Sequence, residues 1–263
     1  MRTNHEIDYK IYGEEMQYVE IELDPQETAI AESGSFMMMD EGIEMATIFG
    51  DGAKPQQGFL GKLMSAGKRI LTGESLFMTT FTNTGQGKKR VSFASPYPGK
   101  IIPLDLLELG GKIVAQKDAF LCAAKGVSVG IEFQRRLGTG LFGGEGFIMQ
   151  KLEGDGMAFV HAGGHVFERT LQPGELLKID TGCLVAYSQT VDYDIQFVGG
   201  IKNTIFGGEG LFFATLRGPG KVWIQTLPIS RLAGRILTYA TTTRKGEGSI
   251  LGGIGNVLDG DGW

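Results

Sequence analysis

GGEGLFFATLRGPGKVWIQT, residues 207–226, is the stretch that decides the fold. A Gly-Gly-Glu-Gly turn opens into an apolar run, glycines return at Gly218 and Gly220, and the alternating segment KVWIQT follows. Short apolar or alternating runs separated by a tight glycine turn read as two strands of a β-hairpin. The same order of signals occurs twice more. GESLFMTTF begins at Gly73 and GGEGFIMQKL at Gly143; a Gly-x-Gly follows each, at Gly85 and Gly87 and at Gly154 and Gly156, and then RVSFAS or MAFVHA. The hairpin is therefore expected three times, with Gly73–Glu74, Gly144–Glu145 and Gly208–Glu209 as equivalent turns. A glutamate at one position of every copy is expected to hold turn amides by charge-assisted hydrogen bonds, a structural role and not a catalytic one.

A second element precedes each of these. It reads VEIELDPQETAIAESGSFMMM from Val19, IPLDLLELGGKIVAQKDAFLCA from Ile102 and FERTLQPGELLKIDTGCLVAY from Phe167. In the first copy Val19, Ile21 and Leu23 alternate with Glu20 and Glu22, the period of a half-buried strand. Turns follow at Pro25, Gly110 and Pro173, and again at Gly34, Ala119 and Gly182. Met37, Met38 and Met39 read as a strand with mixed faces. Together the two elements predict an all-β protein of three tandem β-sandwich units with pseudo-threefold symmetry and few short helices. The boundaries fall at 1–98 (with a helical insert near 59–71), 99–165 and 166–229, leaving 230–263 as a helix capped by Ser230 and a glycine-rich tail.

The inserts between the two elements carry bases: Lys62, Lys68 and Arg69 in the first, Arg135 and Arg136 in the second, Lys202 in the third. If the units are symmetric, these bases gather on one rim, the candidate binding surface. The amphipathic pattern over 59–71 suits a helix that covers the body or docks on a membrane surface.

Composition narrows the function classes. The 263 residues include 42 glycines, about twice an average share of roughly 7%, with 8 prolines; this favours many turns. A net charge of −5 argues against nucleic acid as a partner, because phosphate backbones are bound by clustered positive charge. Cys122 and Cys183 make no disulfide framework or Cys-x-x-Cys zinc pair, and are expected as buried thiols. The polar N-terminal stretch lacks a secretory core, and no apolar run of membrane-spanning length occurs, so a cytoplasmic location is expected.

The search for chemistry yields little. His161 and His165 are four apart, but His161 falls in a predicted strand and Ser92 and Gln225 stand at its repeat positions, so no metal site and no cofactor is expected. No dinucleotide fingerprint, Walker loop or nucleophile elbow is present.

The recurring GGEGLF element, QPGELLKIDTGCLVAY and VGGIKNTIFGGEGLFFATLRGPGKVWIQT resemble the mitochondrial-biogenesis family named for altered inheritance of mitochondria, type twenty-four, over roughly residues 5–240. The resemblance implies a fold like that of the tryptophan RNA-binding attenuation protein, a short double-stranded β-helix unit written three times in one chain. It implies further association of such chains, with the trimer favoured, and carries over no enzyme activity, catalytic residues or RNA binding. The bacterial, uncharacterised branch is the better match, since the chain shows no Arg-rich, acid-poor leader. The leading expectation is thus a non-enzymatic assembly or scaffold protein forming homo-oligomers. The alternatives are a small-molecule-binding module or cupin-like enzyme, and a peripheral membrane protein.

Overall fold

The computed structural model describes residues 3–49, 77–135, 147–197 and 212–242. Within them the chain is all-β, with nineteen strands, two single 3-10 turns and one α-helix. After an opening strand β1 (Asp8–Tyr12), the strands fall into three sets of six. The first set is β2 (Tyr18–Leu23), β3 (Thr28–Glu32), β4 (Phe36–Met39), β5 (Ile43–Phe49), β6 (Phe77–Asn83) and β7 (Lys89–Ala94). The second is β8 (Gly99–Asp105), β9 (Lys112–Gln116), β10 (Phe120–Ala124), β11 (Ser128–Arg135), β12 (Phe147–Glu153) and β13 (Met157–Gly163). The third is β14 (Val166–Leu171), β15 (Leu176–Asp180), β16 (Leu184–Ser188), β17 (Asp192–Phe197), β18 (Phe212–Arg217) and β19 (Gly220–Gln225).

In every set the first and third strands pair with the sixth, and the second and fourth pair with the fifth, all antiparallel. Each set thus contributes two half-sheets. In the first, Val19, Ile21 and Leu23 of β2 with Val91 and Phe93 of β7 share one core with Ala29 and Ala31 of β3 and Phe81 of β6. Sets are joined by pairing the second strand of one with the third strand of the next, β3 with β10 and β9 with β16. The result is two six-stranded sheets, β5-β6-β3-β10-β13-β8 and β11-β12-β9-β16-β19-β14, with a four-stranded sheet, β1-β2-β7-β4, and a three-stranded one, β15-β18-β17.

The Gly-x-Gly turns do not close the hairpins that the sequence pattern predicts. The strands on either side of each lie in different sheets, and the consecutive strands that pair within a set are the fourth and fifth. Both edges of the fifth strand are already taken by the second and fourth, so the chain must cross to the other half-sheet. The glycines serve that corner: Gly154 and Gly220 have φ of +147° and +146°, and a Cβ on Gly220 would lie 2.5 Å from Ser188 Oγ. The Pro25 and Pro173 turns behave as their sequences suggest. Pro is followed by a residue with positive φ (Gln26, +72°; Gly174, +77°), as a type II turn requires. Glu27 and Glu175 then accept the amides of Asp24 and Gln172, each at 2.8 Å.

An N-terminal strap crosses from the first set to the second. The Asp155 carboxylate accepts from Thr3 N (2.6 Å), Thr3 Oγ1 (2.9 Å) and Asn4 N (2.8 Å), while Asp155 N donates to Asn4 Oδ1 at 2.7 Å. These donors hold the Asp155 carboxyl below its ordinary range. His5 N donates to Lys125 O, and Thr28 N donates to His5 Nδ1. The strap fits because the corner beneath it is glycine: a Cβ on Gly154 or Gly156 would come within 2.9 Å of Asn4.

The described residues up to Pro228 form one compact body, and those from Ile229 belong to a separate unit. In the latter the helix α1 spans Ile229–Thr242, so Ser230 lies inside it and is not the cap that its sequence suggests.

Candidate functional site: two strand edges

Several of the buried polar side chains hold corners. Asn83 Nδ2 donates to Leu23 O and Gly87 O, both at 2.8 Å. Gln225 Oε1 accepts from Gly163 N at 2.7 Å and its Nε2 donates to Gly182 O at 2.8 Å, tying the second set to the third. His161 occupies the same strand position in β13, buried against Tyr97 in an edge-on ring contact at 4.3 Å. Its Nε2 lies 3.1 Å from Tyr97 O, and since a carbonyl only accepts, Nε2 carries the proton. Nδ1 is buried without a hydrogen-bond partner among the described residues. Burial pushes the pKa of this imidazole down to about 4, so it is neutral. Pairing register makes Ala94, not Ser92, the counterpart of His161 and Gln225, because the first set's corner is two residues longer. His165 contributes its backbone N–H to Thr226 Oγ1. Among the described residues no group of three or more His, Cys, Asp or Glu could hold a metal ion, and no helix is long and apolar enough to cross a membrane. Cys122 is buried, with its thiol pKa raised by desolvation; Cys183 is half-buried, in contrast to the two buried thiols expected, and neither is in a disulfide.

Most of the sequence-derived site residues fall outside the described residues: Lys62, Lys68, Arg69, Gly73, Glu74, Arg136, Gly144, Glu145, Lys202, Gly208 and Glu209. Arg135 is placed at the end of β11, opposite Phe147 in the pairing with β12.

The feature that stands out is the exposure of the third strand of the first set. β10 and β16, the third strands of their sets, are buried along their whole length. β4, the third strand of the first set, exposes all four of its residues: Phe36 (42%), Met37 (48%), Met38 (43%) and Met39 (41%). The mixed-face strand expected over Met37–Met39 is thus a strand exposed on both faces. Its sequence is as apolar as those of its buried counterparts, FLCAA and LVAYS. Phe36 is held by stacking on Phe81 at 5.4 Å, and β4 pairs on one side with β7. In the third set, β15 pairs with β18 and ends its sheet. Its counterparts β3 and β9 are largely buried, whereas Leu176 and Lys178 of β15 are exposed. Four consecutive large apolar side chains on a strand edge that is unpaired among the described residues make this the candidate interaction surface.

Known proteins share this chain's pattern. The family model described as Mitochondrial biogenesis AIM24 matches residues 9–227. An uncharacterized protein of Streptococcus pyogenes serotype M6 is 33% identical over 229 residues, covering 86% of this chain and 87% of the relative. A crystal structure of a Streptococcus pyogenes protein, from a structural genomics programme, superposes with a TM-score of 0.70 at 26% identity, over 89% of this chain and 99% of that one.

Proposed function

The chain belongs to the Mitochondrial biogenesis AIM24 family, and we propose that it is a non-enzymatic assembly protein that works in the cytoplasm as a homo-oligomer, the trimer being the favoured state. In this reading the three strand sets are repeated units, related by successive rotations, that build a scaffold. The observation that carries it is β4: an apolar strand left to solvent at a position that the same fold buries twice elsewhere. Leaving such an edge bare invites unspecific strand pairing, and closed assemblies remove that hazard. The buried polar residues support a structural role, since Asn83, Gln225 and Ser188 bond to backbone groups of the corners. Light scattering coupled to size exclusion, at micromolar concentration, tests the proposal. A mass that is a multiple of 28.4 kDa is expected, and a strict monomer would overturn it.

A further inference from the structure

We propose that α1 is a surface anchor for an anionic lipid membrane: its apolar side enters the headgroup region and Arg231 and Arg235 meet the lipid phosphates. This goes beyond the assembly reading and does not depend on it. Three observations carry it.

The first is exposure. Ile229, Leu232, Ala233, Ile236 and Leu237 recur at the spacing of one helical face, and Tyr239, seven residues after Leu232, returns to the same side. Ile236 (59%), Leu237 (64%) and Tyr239 (75%) are the three most exposed large apolar residues among those described. They lie together on one face, in a unit separate from the strand body. A contiguous apolar face of this kind marks a surface that is covered in use.

The second is charge. α1 carries Arg231 and Arg235, one turn apart, and no Asp or Glu. The chain as a whole has a net charge of −5, so its acidity lies outside the helix. A helix that is apolar on one side and basic, without acids, on the other complements an apolar layer topped by negative charge. Arg231, Arg235 and Tyr239 follow at four-residue intervals and form a row that borders the apolar face. Arginine stems and tyrosine rings suit that border, because each has an apolar body that can lie among the acyl chains and a polar end that reaches the headgroups.

The third is length. The 14 residues of α1 extend over about 21 Å at ~1.5 Å per residue, short of the roughly 30 Å of hydrocarbon that a spanning helix must cross. The helix can therefore only lie flat in the interface, the orientation in which its two sides meet two different media.

Flotation of the full chain with vesicles tests the inference. One set is phosphatidylcholine alone, and the other has a third of its lipid replaced by phosphatidylglycerol. The chain is expected to float with the anionic vesicles at about 50 mM salt, to be released at about 500 mM, and to leave phosphatidylcholine vesicles bare. R231E/R235E and I236D/L237D are each expected to lose at least about tenfold in binding, while R231K/R235K keeps it. Near-ultraviolet circular dichroism of the strand body is the folding control. If the unaltered protein binds neither set of vesicles at low salt, the inference is overturned. If R231E/R235E and I236D/L237D float as the unaltered protein does, another segment carries the binding and the inference is again overturned. The same holds if those variants lose self-association and keep lipid binding, since α1 then docks on a second copy. The self-association reading is measured without lipid, so either proposal can fail while the other stands.

Discussion

β10 and β4 are the same strand of two successive sets, five and four residues long, each paired along one edge to the sixth strand of its set and bulged at the same place. β10 also receives β3 on its other edge and lies between two cores: Phe120 and Ala123 contribute to one, Leu121, Cys122 and Ala124 to the other. Among the described residues β4 pairs only with β7. The difference shows that burial of the third strand is supplied by the preceding set and not by its own. An apolar sequence at this position is thus a requirement of the set before it, and among the described residues no set precedes the first.

The largest effect that would break this comparison comes from placing one charge in both strands. Cys122→Arg buries an unpaired guanidinium between two cores and is expected to destabilise the fold by at least about 4 kcal/mol, whereas Met38→Arg is expected to change the stability of the isolated chain by no more than about 0.5 kcal/mol. Urea denaturation of dilute protein measures both; equal losses would mean that β4 is packed as β10 is.

A second test uses the acid at the β3–β10 junction. Burial, and then the nearby Asp118, push the Glu32 carboxyl up from 4.5 to about 7, with Lys117 acting in the opposite sense. The folded chain therefore holds this proton more tightly than the unfolded chain. The stability it confers is full below pH 4.5 and is lost as the pH rises through 7. Glu32→Gln is expected to abolish a pH dependence on the order of 3 kcal/mol across that window. Melting curves at pH 4.5, 6 and 8 read it, and a variant that follows the unaltered protein at every pH would place the titration elsewhere.

The smallest of these effects concerns the strap, which joins the first set to the second by a route other than strand pairing. Asn4→Ala removes the acceptor of Asp155 N–H and is expected to cost about 1–2 kcal/mol. Hydrogen exchange should show the loss at Asp155 and Gly156; unchanged protection there would mean that the strap contributes nothing to the corner.

Much of the architecture was legible in the sequence. Val19, Ile21 and Leu23 alternate with glutamates and are fully buried, as a strand facing a core must be. The Pro25 and Pro173 turns, the glycine corners and the run of apolar strands were visible because each depends on local backbone chemistry. Partner choice was not. A Gly-x-Gly between two strands looks alike whether the chain turns back beside itself or crosses to a facing sheet, and the decision rests with β3 and β5, which occupy both edges of β6. Likewise FMMM and FLCAA both read as apolar strands, and only the presence or absence of β3 alongside separates an exposed strand from a buried one. Of the basic rim, Arg135 alone falls on a described strand, so the candidate surface here rests instead on Phe36–Met39, whose sequence reads as a strand with mixed faces.

The reciprocal bonds between Asn4 and Asp155 join residues 151 apart in the chain. During synthesis Asn4 emerges long before Asp155 exists, so this clasp can close only after the first set and most of the second are made, whereas His5 finds Thr28 within the first set itself.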